Sequence, residues 1–181
     1  AAPCLDVNAA NGAGRTALLL AADGGHTETV TALLAAPGLD VNAATDDGDT
    51  ALMRAAVHGH AETVTALLAA PVLDVNAVGG EDGWTALMLA AGEGHTETVT
   101  ALLAAPGVDL NAADGTGWTA LMQAANTGST DTATVLLAAP GLDANAANDD
   151  GNTALAIAEG EGHVEIASLL RVRRRPPCRP H

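Results

Sequence analysis

The histidines are the first side chains in this sequence whose type and spacing could do chemistry. His58 and His60 are separated by one glycine and could offer two imidazole ligands to a metal ion. A zinc site needs more than two protein ligands, and neither a cysteine nor a third histidine lies near this pair in the sequence. We therefore predict no metal site.

Two acidic segments carry the other side chains that a cation would prefer. One contains Asp46 and Asp47, and the other contains Asp149 and Asp150. A calcium loop of the EF-hand type needs spaced ligands and a closing glutamate, and neither segment has them. Aspartate and glycine are also the usual residues of tight turns. We interpret both segments as turns.

Residues for nucleophilic catalysis do not form a recognisable set. The serines are Ser129 and Ser168, and neither follows the glycine pattern of a nucleophile elbow. The cysteines, Cys4 and Cys178, lie in the terminal segments. A chain without lysine also cannot have a phosphate-binding loop of the G-x-x-x-x-G-K type. The sequence predicts a protein that is not an enzyme and has no cofactor.

The distribution of charge excludes further classes of partner. The formal charge is −15, but residues 1–170 hold all 22 acidic residues and only Arg15 and Arg54, which gives that part a charge of −20. Nucleic-acid binding depends on clustered lysine and arginine, so we predict none. Apolar runs reach about seven residues, far below the roughly 18 of a membrane span, so we predict no membrane insertion. Two cysteines cannot form a disulfide framework, which favours an intracellular, cytoplasmic location, with the nucleus also open.

Three short strings recur in phase and divide the chain into five similar units. One string is LDVNA or a close variant, and another is typified by GGHTETVTALL. The remaining string, G-x-T-A-L, recurs at intervals of 34 or 35 residues, at 14–18, 48–52, 83–87, 117–121 and 151–155.

Each unit can be interpreted as a pair of short helices. A threonine that follows a turn glycine is a typical N-cap, and the first helix begins after it. The Gly-His step then begins a second helix, with an acidic residue in its first turn and a proline after its end in four of the units. Isolated helices shorter than about 12–15 residues are marginal in water, so the pairs must be stabilised by stacking on their neighbours.

These units resemble the ankyrin repeat, whose usual pattern is D-x-x-G-x-T-P-L-H-x-A-A, then G-H-x-E-V-V-x-L-L-L and A-D-V-N-A. The proline of T-P-L-H is alanine in all five units, and the histidine is replaced by an apolar residue. The resemblance implies an all-α ankyrin-repeat solenoid of stacked helix-turn-helix units with short turn tips. It also implies that the repeated histidine ties its loop to the neighbouring repeat. The Asp-x-Asn pair, typified by Asp40 and Asn42, occurs in all five units, and we interpret it as a loop brace.

The repeat boundaries follow from this resemblance. Residues 1–11 are interpreted as the tail of a truncated preceding repeat, and residues 173–181 as a basic Pro/Arg tail. The five repeats between them are predicted at 12–45, 46–80, 81–114, 115–148 and 149–172.

Positions at which the units differ are the candidates for binding, because the fold alone does not require the difference. In the ankyrin unit these positions lie on the turn tips and on the inner helix face, which together form a concave surface. They predict a monomeric module that binds a basic protein or peptide, with Arg54 meeting one acidic group of that partner. The candidate residues are Arg15, Asp49, Trp84, Trp118, Asn152, Leu20, Arg54, Leu89, Gln123, Asp46, Asp47, Glu81 and Asp82.

Three alternatives remain open in the sequence. Trp84 and Trp118 can bind a partner or simply pack on their own turns. The chain can be the recognition segment of a larger catalytic, adaptor or channel protein. It can also be a structural spacer.

Overall fold

A computed structural model describes residues 6–173, within which ten α-helices follow one another in five pairs. The pairs are α1 (Ala17–Asp23) with α2 (Thr27–Leu34), α3 (Ala51–Val57) with α4 (Ala61–Leu68), α5 (Ala86–Gly92) with α6 (Thr96–Leu103), α7 (Ala120–Thr127) with α8 (Thr130–Ala138), and α9 (Ala154–Gly160) with α10 (Val164–Arg173). The predicted all-α architecture is confirmed.

The described residues stop short of both ends of the chain. Helix α10 ends at Arg173, one residue beyond the predicted end of the fifth repeat. Residues 174–181 of the predicted tail lie outside the described residues, as do residues 1–5 of the N-terminal segment and both cysteines.

Every first helix begins at the predicted threonine N-cap. The threonine Oγ1 accepts a hydrogen bond from the amide three residues later, at 3.3–3.4 Å. An N-cap of this kind is worth about 1 kcal/mol, which matters for a helix of seven or eight residues. The capping threonines are Thr16, Thr50, Thr85, Thr119 and Thr153.

The helices form two rows. First helices contact first helices of the next pair, from α1 to α9, and second helices contact second helices, from α2 to α10. Alanines such as Ala56 and Ala90 are fully buried between them. Because alanine is small, the helices can approach closely, and leucines such as Leu67 and Leu102 fill the spaces that remain. Met53, Met88 and Met122 are buried in the slot that holds histidine in the ankyrin pattern.

The repeated histidine links each pair to the one before it. The Nε2–H of His60 donates to the carbonyl of Asp23 at 3.1 Å, that of His95 to Val57 at 3.1 Å, and that of His163 to Asn126 at 3.0 Å. The predicted bracing role is thus confirmed at three junctions. Ser129 takes this position in the fourth unit, where its hydroxyl pairs at 3.0 Å with Thr127 of its own unit.

The Asp-x-Asn pair forms a second ladder. The side-chain amide of Asn42 donates to the Val72 carbonyl at 2.8 Å, and its Oδ1 accepts from the Asp74 amide at 2.9 Å. The Asp40 carboxylate accepts from the Asn42 amide at 3.0 Å and holds that residue in place. Asn8, Asn76 and Asn111 make equivalent contacts, which confirms the interpretation of this motif as a loop brace.

A threonine ladder along the second helices is interrupted at one place. Thr27 and Thr63 pair their hydroxyls at 2.7 Å, and Thr96 and Thr132 do so at 2.8 Å. The hydroxyl of Thr98 is buried and has no hydrogen-bond partner among residues 6–173. Its partner position is Ala61, which has no hydroxyl, whereas Thr27 and Thr96 stand at the equivalent positions of their own units.

Ala61→Thr is expected to raise the free energy of unfolding by about 0.5–1.5 kcal/mol, because the new hydroxyl satisfies Thr98. Urea unfolding followed by circular dichroism measures the change. Thr96→Ala is the matched control and should lower stability by a similar amount, since it leaves Thr132 without its partner. A stability unchanged or lowered by Ala61→Thr, with Thr96→Ala destabilising, would contradict the explanation.

Candidate functional site

The turn tips stack into one row along the molecule. The tips of the second to fifth units are each closed by an isolated β-bridge, as between Ala44 and Thr50. Neighbouring tips are joined by backbone hydrogen bonds, from Gly80 N to Asp47 O at 2.9 Å, from Gly115 N to Asp82 O at 2.8 Å, and from Asp149 N to Thr116 O at 3.1 Å. We call this array the tip row. Its exposed carboxylates are Asp46, Asp47, Glu81, Asp82, Asp149 and Asp150.

Gly79 allows the third tip to pack against the second. A Cβ at this position would lie 2.7 Å from the carbonyl oxygen of Gly48 and 2.8 Å from the sulfur of Met53, so only glycine fits. Gly79 also forms a two-way backbone bridge with Trp84, at 2.9 and 3.0 Å. The third tip, which is one residue longer than the others, therefore holds the backbone of Trp84 in place.

Trp84 and Trp118 are both half-buried and pack against the core. The Trp118 amide donates to the Asp114 carboxylate at 2.9 Å, which holds it at its turn. Within residues 6–173 the aromatic pair in ring contact is His58 with His60, so the two indoles do not stack on each other. Part of each tryptophan remains exposed to solvent, as does part of Leu89 of α5.

A cavity of about 70 Å³ lies between the first two units. It brings together five of the predicted site residues, namely Arg15, Leu20, Asp47, Asp49 and Arg54. Asp23, Thr45, Leu19 and Ala13 complete its lining.

Arg54 is held at this cavity by carboxylates of the chain itself. Its Nε and Nη2 lie 2.7 and 2.6 Å from Oδ1 of Asp23, and its Nη1 lies 3.5 Å from Oδ2 of Asp49. His58 Nε2 lies 3.1 Å from the same Asp23 oxygen. Burial alone would raise the pKa of Asp23, but the hydrogen bond and charge of Arg54, with smaller contributions from His58, outweigh it and hold that pKa below its ordinary value of 3.8.

The sequence of the chain matches a known protein family over most of its length. A family model described as ankyrin repeats (3 copies) matches residues 3–79, 37–114, 72–148 and 106–175, in overlapping windows. The chain belongs to the ankyrin repeat family. Ankyrin repeats are generally protein–protein interaction modules and are typically non-catalytic. A comparison with curated proteins gives no match.

Two features of this ankyrin chain bear on other functions. Among the described residues, no helix has the length and apolar character that crossing a membrane requires. No group of three or more histidine, cysteine, aspartate or glutamate side chains within residues 6–173 is arranged to hold a metal ion.

The predicted ankyrin site residues do not all reach the surface. Gln123 is buried, and its side chain lies near Gly92, so it belongs to the packing of α5 on α7. Arg54 forms ion pairs with Asp23 and Asp49 of the chain itself. Its contact with an acidic group of the partner stays a prediction. Asn152 is exposed on the last tip.

Asp23 lines this cavity and binds Arg54, although it is not one of the predicted site residues. It stands in a column that varies among the units, with His58 at the equivalent position of the second unit. That variation could have identified Asp23 as a site residue. The contact with Arg54 spans 31 residues and two repeats, so it was not visible as a pair in the sequence.

Asp23→Asn is expected to lower stability at neutral pH by roughly 0.5–1 kcal/mol, because it removes a charged partner of Arg54. Since the folded-state pKa of Asp23 is lowered, its stabilising contribution is complete above about 3.8 and is lost as the pH falls through the folded-state value. The difference between wild type and variant should therefore shrink between pH 7 and pH 2. Urea midpoints across that range measure it.

Asp46→Asn is the control for this prediction. It removes a neighbouring exposed carboxylate whose side chain makes no ion pair among the described residues. An Asp23→Asn difference that stays constant down to pH 2, or one that Asp46→Asn reproduces, would show that the ion pair is not its source.

Proposed function

We propose that this ankyrin chain binds a basic protein or peptide along the face formed by the tip row and the exposed sides of the first helices. The observation that carries the proposal is the placement of Trp84, Trp118 and Leu89. All three are half-buried. Trp84 and Trp118 are held by hydrogen bonds of their turns, next to the exposed carboxylates of the tip row, and Leu89 lies in the helix that follows Trp84.

The charge of the chain favours a basic partner. Residues 1–170 carry a formal charge of −20, and the tips place several of these carboxylates side by side. Such a field accelerates encounter with a positively charged surface and slows encounter with a negative one. The same field disfavours nucleic acid, whose phosphates need clustered cations.

The two indoles supply the affinity that steering alone does not. Tryptophan is among the residues that most often dominate binding energy, especially where it is held in place and becomes desolvated on association. Their partial burial fixes the rings before binding, which lowers the entropy cost of ordering them.

The rest of the proposal follows the family. The chain acts without a catalytic site or a cofactor, as a monomer, and inside the cell, where ankyrin repeats often occur. Whether it works alone or as the recognition segment of a larger catalytic, adaptor or channel protein does not change the face proposed here.

The test begins with capture of binding proteins by the full chain, followed by measurement of each affinity at about 0.05 M and about 0.5 M salt. We expect basic binders whose affinity falls as salt rises. A variant with Asp46, Asp47, Glu81 and Asp82 changed to their amides should bind more weakly and respond less to salt. Binding that is independent of salt and unchanged in that variant would contradict an acidic recognition face and favour a structural spacer.

A further inference from the structure

The cavity between the first two repeats has room for one side chain and no more. Its volume is about 70 Å³, well below the roughly 300–1,000 Å³ of sites that enclose a whole small molecule. Its opening is bordered by Leu20, whose side chain is 47% exposed although it is a large apolar residue. A long side chain could therefore lay its aliphatic part on Leu20 and place its end group among the polar residues.

The charges of the lining are not balanced. Three carboxylates, those of Asp23, Asp47 and Asp49, face two guanidinium groups, those of Arg15 and Arg54. One cationic group would bring this lining to neutrality, whereas a carboxylate would increase its net negative charge. The surrounding body, at −20, acts in the same direction.

Arg54 leaves part of the acidic lining available. Its strong contacts, at 2.6 and 2.7 Å, go to Asp23, while its contact with Asp49 is long, at 3.5 Å. Asp47 makes no ion pair within residues 6–173 and is exposed at the tip. Asp47 and Asp49 are thus the carboxylates that an incoming cation can use.

From this cavity we infer that one lysine or arginine side chain of the partner anchors between the first and second repeats, with its charged end between Asp47 and Asp49 and its stem on Leu20. The inference rests on the proposed function and adds to it a position and an orientation. The basic anchor binds at the first two repeats, and the apolar contacts follow at Trp84 and Trp118.

The first experiment uses single residues as probes of the cavity. Nα-acetyl-lysine methylamide, the arginine analogue and the uncharged norleucine analogue are titrated into the isotope-labelled chain, and amide shifts are followed by NMR. We expect lysine and arginine to shift the amides of Leu20, Thr45 and Asp47 at least about twofold more than those of Glu81 and Asp149. Shifts spread evenly along the tip row, or equal shifts with norleucine, would overturn the inference.

Two neighbouring aspartates provide a matched pair of variants. Asp46→Asn and Asp47→Asn remove the same charge from the same turn, but only Asp47 lines the cavity. Asp47→Asn should reduce the lysine shifts by about two- to fivefold, the range of an exposed ion pair, and Asp46→Asn by less. Equal reductions would mean that only the general field acts.

Arg15→Gln tests the inference by the direction in which it changes the affinity for the lysine probe. Arg15 is exposed and makes no ion pair within the described residues, so Arg15→Gln should leave the fold intact. Removing this like charge should strengthen binding of the lysine probe by about two- to fivefold. Weaker lysine binding, or cavity shifts produced by Nα-acetyl-glutamate methylamide, would make this an anion site and overturn the inference.

Two variants distinguish an error in the anchor position from an error in the proposed function. With a captured partner, unchanged affinity in Asp47→Asn together with weaker binding in Trp84→Ala rejects the anchor and keeps the face. Unchanged affinity in both variants rejects the proposed face itself.

Discussion

Trp84→Ala is expected to weaken binding of a captured basic partner by about thirtyfold, on the order of 2 kcal/mol. The indole is half-buried, and a two-way backbone bridge to Gly79 holds its position, so it is ordered before the partner arrives. Leu89 lies on the following helix and is also half-buried, which adds apolar area that binding can desolvate. Isothermal titration calorimetry with the wild type and the variant measures the loss.

Asn152→Ala is the matched control for this prediction. Asn152 occupies the same position of its unit as Trp84, on the last tip, but its side chain is small and polar, so its removal takes little apolar area from the face. It should change the affinity by less than about threefold. Trp118→Ala should behave like Trp84→Ala, because Trp118 is also half-buried and its backbone amide is held by the Asp114 carboxylate. If both tryptophan variants fold normally and each loses less than about threefold, recognition lies elsewhere or the chain is a spacer.

Leu102→Ala is expected to lower the free energy of unfolding by about 2–5 kcal/mol. Leu102 is completely buried in α6, which packs against α4 on one side and α8 on the other. In a linear array each unit is stabilised mainly by its two neighbours, so a cavity in the middle weakens two junctions together. Because the free energy of unfolding of a whole domain is about 5–15 kcal/mol, this loss is a large share of the total stability.

Leu20→Ala is the control for the core, since the same side chain is removed from a position that is 47% exposed. A surface change of this kind should stay within about 0.5 kcal/mol. Urea unfolding of both variants gives the comparison. Similar losses in the two variants would mean that stability is not concentrated in the buried rows of helices.

The face that these experiments probe was only partly visible in the sequence. The columns that vary among the repeats indicated Arg15, Leu20, Asp49 and Arg54 as candidates, and the acidic turn tip indicated Asp47. The structure places all five around one cavity. The partner and the role of each residue in binding it stay predictions. Gln123, which comes from one of the same columns, is buried instead.

What the sequence determined by itself are the features that act within a few residues or that every repeat carries. Each threonine caps the helix that starts immediately after it, so the cap could be predicted from the string alone. Phased recurrence of the strings then required stacked pairs, because helices this short do not stand alone. The five occurrences of Asp-x-Asn indicated a loop brace, and the resemblance to the ankyrin repeat added the bracing role of histidine.

Only the tertiary structure decided the contacts between unlike residues of neighbouring repeats. The Thr98 hydroxyl has no partner in the described part of the chain because Ala61, in another repeat, has no hydroxyl. Arg54 turns to Asp23, 31 residues away, and is thereby occupied. These outcomes depend on which two side chains the stacking brings within about 3 Å of each other. Recurrence within a sequence shows which residues the repeats share. Contacts between unlike residues of neighbouring repeats arise at the positions where the repeats differ.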